Sequence, residues 1–153
     1  VRASPCDPRN AERMGMLYNN WAVLNDDEQV RPILEQATVK WLNLSAERMP
    51  RRGSTGLMAV DATMRFANDT PQAGRLLCNL VESDPGNARA AELLAYLLRH
   101  QAQDVHLPEA RRAQLRQAAA YWAQQALHSR WRDYYRHSMN LERLEDIAAD
   151  GHE

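Results

Sequence analysis

Apolar residues return every three or four positions in each long segment of this 153-residue chain, the period of a helix with one face turned to a core. In "CDPRNAERMGMLYNNWAVLN" the recurring residues are Met14, Leu17, Tyr18, Trp21 and Leu24, behind an Asp7 N-cap and Pro8 at the first helical position. A second helix follows in "NDDEQVRPILEQATVKWLNLSAERM", with Pro32 in its first turn and Ile33, Leu34, Ala37, Trp41 and Leu44 on the apolar side. "PRRGSTG" is the clearest break. Beyond it, Ser54 or Thr55 is expected to cap a third helix through Leu57, Val60, Met64 and Ala67.

A Thr70 cap and Pro71 open a fourth helix, which must stop at Asp84-Pro85 because a proline restricts the residue before it. A fifth is expected from about Asn87 to Gln103, with Ala91, Leu94, Ala95 and Leu98 inward. After "DVHLPE" a long sixth helix carries Leu115, Ala118, Ala119, Trp122, Ala126 and Leu127, a stripe that can run on to Trp131 and Tyr135. A short last helix starts near Asn140. Nowhere do apolar and polar residues alternate over a β-branched run, so no strand is expected. The pattern predicts an all-α protein: a single domain of six or seven helices in antiparallel helical hairpins. Its parts are an N-terminal helical pair (1–50), a middle block (54–128) and a C-terminal helical extension (129–153).

Composition narrows what such a chain does. At 44% hydrophobic residues it can bury one real core, and a net charge of -1 withholds the broad positive field of a nucleic-acid or anionic-membrane binder. The apolar runs are too short to span a bilayer. Lys40 is the only lysine among many arginines, and alanine and leucine abound, a bias typical of a GC-rich bacterial genome. The chain opens on Val1, which fits either trimming or removal of an upstream export signal, and with Cys6 this favours a periplasmic or envelope-associated setting over a cytoplasmic one. Cys6 and Cys78 make no zinc pattern; Cys78 in "RLLCNLV" is expected as a buried thiol, with a Cys6–Cys78 disulfide as the alternative.

The joint "AGRLLCNLVESDPGNARAAELLAYLLRHQ" resembles the junction of two tetratricopeptide repeats: a helix with small Ala73 and a Leu-Val pair, an Asp-Pro stop, then a helix with Leu94, small Ala95 and Leu98. "RQAAAYWAQQAL", with Ala119 and the closing Ala126-Leu127, resembles the next second helix. The likeness covers residues 54 to 128. It departs from the family in the twelve residues "DVHLPEARRAQL" where a tight turn belongs, in Ala102 at the turn glycine and in Asp61 at a small-residue position. An unrelated helical bundle is the alternative. The resemblance implies a non-enzymatic scaffold or accessory subunit that holds a protein or peptide partner, its binding face presenting Arg89, Glu92, Tyr96, Arg99 and His100 from the fifth helix with Arg65 and Phe66 from the third. Aromatics between arginines suit carboxylate or phosphate recognition.

Other chemistry finds less support in the residues. "HSRWRDYYRH" interleaves arginine with aromatic residues and supplies the alternative function, a small nucleic-acid-binding protein using Arg132 and Arg136 with Trp131, Tyr134 and Tyr135 for stacking; the favoured reading packs those aromatics and solvates the arginines. His100, Asp104 and His106 lack a helix-face ligand spacing, so neither a metal nor a cofactor is expected. No nucleophile elbow, phosphate loop or His-Glu helix motif occurs.

Overall fold

A computed structural model describes residues 7–130, 132–135 and 137–150. It is all-α. The helices are α1 (Pro8–Leu24), α2 (Arg31–Arg48), α3 (Gly53–Ala62), α4 (Thr70–Ser83), α5 (Ala88–Ala102), α6 (Glu109–His128), the single turn α7 (Arg132–Tyr135) and α8 (Leu141–Ala149), and no strand occurs among the described residues. Contacts divide the chain into two compact units with the boundary between Asn79 and Leu80, inside the stretch expected to form one middle block.

In the first unit α1 and α2 pack along their lengths as a hairpin, and α3 packs on α2. Asp7 caps α1 through the Arg9 amide, with Pro8 opening the helix as its fixed φ favours. The face that α1 buries is not its most apolar one. Ala11, Glu12, Gly15 and Ala22 are buried, whereas the expected inward residues Leu17, Trp21 and Leu24 are 40%, 50% and 80% exposed. Close approach explains the shift. A Cβ on Gly15 would lie 2.6 Å from both Cγ and Cδ2 of Leu42 and 3.1 Å from its backbone nitrogen, so the two helices touch where only glycine leaves room.

Helix α2 is displaced in the same sense, burying Thr38, Leu42, Ser45 and Ala46 and leaving the expected Ile33 66% exposed. Its buried hydroxyls are satisfied: Thr38 donates to the Leu34 carbonyl at 2.8 Å and Ser45 to that of Pro8 at 3.1 Å. Neither Ser54 nor Thr55 caps α3, which starts at Gly53; both lie within it. Beyond Ala62 the helix widens into a π turn, Thr63–Ala67, and stops at Asn68, whose φ of 49° is the left-handed conformation that asparagine tolerates. Met64, expected inward, is exposed there. The cap of α4 is Asp69, which accepts from the Gln72 amide at 2.9 Å, one residue before the expected Thr70. Cys78 is exposed rather than buried, because Leu76, Leu77, Leu80 and Val81 take the inner side of α4; Cys6 lies outside the described residues.

The second unit pairs α5 with α6, and α8 packs on α6. Asn87 caps α5 through the Ala90 amide, and Asn140 caps α8 through that of Arg143. The core joins Ala88, Ala91, Ala95, Ala119, Ala123 and Ala126 to Met139, Leu144 and Ile147. Ala95 and Ala119, expected at the contact of the two helices, are both buried in this core. Helix α6 ends at His128, and Ser129 turns the chain by donating to the Gly86 carbonyl at 2.6 Å. Tyr134, expected to pack, is 77% exposed, and Trp131, Arg136 and the Tyr135 side chain fall outside the description.

The two units repeat one plan. The buried residues Ala11, Glu12, Gly15 and Ala22 of α1 are followed, eighty residues on, by buried Ala91, Glu92, Ala95 and Ala102 of α5. Thr38, Leu42 and Ser45 of α2 recur eighty-one residues on as Ala119, Ala123 and Ala126 of α6, with Trp41 matched by Trp122. In each unit a third helix then packs on the second.

Candidate functional site

Each unit buries one carboxylate at the start of its third helix. In the first, Glu12 accepts from the Thr55 hydroxyl at 2.7 Å and pairs with Arg52, the residue before α3, at 3.1 Å. In the second, Glu92 has no exposed surface and accepts from the Tyr96 hydroxyl at 2.7 Å, from the Asn140 amide at 2.8 Å and from the Arg89 guanidinium. Arg89 also donates to the Ser138 carbonyl at 2.8 Å, and the Arg143 guanidinium lies 4.4 Å from the centre of the Tyr96 ring. Burial, then the bond to Glu92, pushes the Tyr96 hydroxyl well above the ordinary phenol range. These groups clasp α8 to α5. The positive end of a helix and a buried anion stabilise one another, and charged hydrogen bonds repay part of the desolvation.

The clasp corrects the expected binding face. Glu92 presents nothing to a partner because it is wholly enclosed, and Arg89 and Tyr96 are turned onto it. Arg99 pairs with Asp150 at 2.8 Å. Only His100 of the fifth-helix set is exposed; it lines an open cleft of about 590 Å³ with Asp104, Leu107 and Arg111. Asp104 accepts from the His106 amide at 2.9 Å. Hydrophobic period alone marks the last segment as an extension, whereas its helix packs on α6 and brings its N-terminus to Glu92. A signal was present in the sequence: Ala-Glu, a small residue three further on and an alanine after seven more occur at both 11–22 and 91–102.

The first unit holds a second open cleft, of about 340 Å³, between α1, α2 and α3. Met16, Leu42, Leu57, Met58 and Ala62 give it an apolar floor, and Asn19, Asn20, Asp61 and Arg65 stand at its edge. Arg65 belongs to the π turn, a distortion that recurs at functional sites. Its guanidinium donates to Asn19 Oδ1 at 2.7 Å, faces Asp61 at 3.4 Å and covers the Phe66 ring at 4.3 Å. The structure thus places Arg65 at this cleft with the Phe66 ring under its guanidinium, and the fifth-helix residues belong to the other unit. Sequence reasoning passed over Asn19, Asn20 and Met58, whose only signal is their helical spacing.

Arg132, from the alternative nucleic-acid segment, donates to the Leu127 carbonyl at 3.3 Å and lies 3.7 Å from Asp133. Among the described residues no cluster of His, Cys, Asp or Glu is arranged to hold a metal, and no helix is long and apolar enough to cross a membrane. Comparison with protein-family models, curated proteins and solved structures finds no match for the chain.

Proposed function

We propose that this protein is a non-enzymatic interaction module, an accessory subunit of a bacterial assembly, that holds an extended segment of a protein partner in the cleft of its first unit. The observation that carries this reading is the apolar floor rimmed by Asn19, Asn20, Asp61 and Arg65. Carboxamides carry a donor and an acceptor and so match a peptide unit, while thioethers such as Met16 and Met58 adapt to varied apolar side chains. Arg65 supplies a charge for a partner carboxylate, held in place by Asn19 and Phe66. The binding surface of the resemblance to tetratricopeptide repeats moves to this cleft, since the α5 face is occupied by the chain itself.

Selection from a random peptide display library tests the proposal. The native protein should enrich sequences that Met58→Glu and the pair Asn20→Ala with Arg65→Ala no longer retain, while Arg132→Gln retains them. Absence of enrichment, or equal retention by the cleft variants, refutes it. Salt-dependent retention on single-stranded nucleic acid that Arg132→Gln weakens would favour the alternative function instead.

A further inference from the structure

We propose that the open cleft of the second unit binds a free amino acid with an apolar side chain, its two charges held by Asp104 and Arg111. The cleft has a volume of about 590 Å³ and is lined from the end of α5, the loop after it and the start of α6. Small-molecule pockets typically measure about 300 to 1,000 Å³ and combine an apolar lining with a few placed polar groups. Here Leu115 is buried and Leu107 half-buried, which supplies the apolar part. The helical pair does not by itself dictate the polar part. Eighty-one residues before Leu115 the first unit also has a leucine, Leu34, but eighty residues before Gln101 it has Trp21.

Two opposite charges face this cleft, and they do not pair with one another. The only side-chain partner of Arg111 among the described residues is the Gln114 carboxamide at 3.2 Å, because Glu109, the nearest acid in sequence, is taken by Arg112 and Arg116. A cation in the first turn of a helix opposes the helix dipole, so Arg111 does nothing for α6 by its position. Asp104 Oδ1 accepts from the His106 amide at 2.9 Å, which orients the carboxylate and leaves Oδ2 without a partner among the described residues. A ligand that carries both a carboxylate and an ammonium satisfies this pair. Arg111 can give the carboxylate two parallel N–H donors, Asp104 accepts from the ammonium, and the leucines cover an apolar side chain. A simple anion would face Asp104 and a simple cation would face Arg111, so repulsion selects against either.

The cleft lies wholly in the second unit, so its occupancy stands or falls apart from peptide retention by the first. Titration of the native chain with leucine, N-acetylleucine and leucinamide, followed by amide chemical shifts, tests the proposal. Leucine should shift the signals of residues 100–115 saturably, with a dissociation constant of about 1 mM or below. N-acetylleucine lacks the ammonium and leucinamide the carboxylate, and each should bind at least about tenfold more weakly, the effect of losing a hydrogen bond between charged groups. Asp104→Asn keeps an acceptor for the His106 amide and should erase the preference for leucine over N-acetylleucine. Arg111→Gln should erase the preference for leucine over leucinamide. Both positions are exposed, and both variants should keep the helical circular dichroism. Absence of saturable shifts with leucine, equal binding of the three compounds, or variants that keep the native preferences would each overturn the proposal.

Discussion

Replacing Glu92 with Ala removes the one acceptor shared by Arg89, Tyr96 and the Asn140 amide. A hydrogen bond to a charged group is worth about 1.5 to 3 kcal/mol. The three do not add, because Arg89 keeps the Ser138 carbonyl and is itself 29% exposed, so water replaces part of what is lost. The Asn140 amide is the donor left most exposed to the loss, since its partner was the side chain of another helix. Breaking a buried charge pair from one side typically costs about 3 to 5 kcal/mol, and we expect the lower part of that range for Glu92→Ala. Glu92→Gln keeps the shape and one acceptor but turns an amide donor toward other donors, for about 2 kcal/mol. The loss should be local before it is global. Amide hydrogen exchange should show α8 losing protection against α5 and α6, together with a lower urea midpoint. Unchanged α8 protection with a stability change under about 0.5 kcal/mol in the Ala variant would refute the clasp.

Gly15→Ala gains about 1 kcal/mol of helix propensity but forces a Cβ onto Leu42 at 2.6 Å, an overpacking of about 1 to 3 kcal/mol, so urea denaturation should show a net loss of about 1 kcal/mol. A stabilised variant would mean that α1 and α2 do not cross there. Because the Tyr96 phenol is held above its ordinary value of 10, the folded chain keeps a proton that the unfolded chain releases, and stability should be full below pH 10 and fall as the pH rises beyond it. Tyr96→Phe should flatten that alkaline decline in thermal midpoints, and an unaltered slope would argue against the phenol.

Local signals fixed the helices and most of their ends. Asp7-Pro8, Asn87 and Asn140 are caps whose action depends only on adjacent backbone amides, and Asp84-Pro85 stops α4 by a clash with its own neighbour. The inward residues of α5 were legible too, because there the apolar stripe and the close-packing stripe coincide at Ala91, Leu94 and Ala95. In α1 the two stripes diverge. Hydrophobic period selects Leu17, Trp21 and Leu24, whereas backbone approach selects Ala11, Gly15 and Ala22, and which stripe faces α2 depends on the shape of the partner helix rather than on α1.

The same limit governs the candidate site. A charged residue beside an aromatic on a helix reads as a presented face until something covers it, and the cover for Glu92 comes from Asn140, forty-eight residues away. The repeat of Ala-Glu at positions 11 and 91 was visible in the chain, but its meaning was not. Sequence by itself determined an all-helical chain with definite caps and breaks, because those follow from forces acting within a few residues. Only tertiary structure decided which side of α1 is buried, that both glutamates serve as internal clasps, and that Arg65 rather than Arg89 stands at an open cleft, because burial is a property of the surfaces that meet.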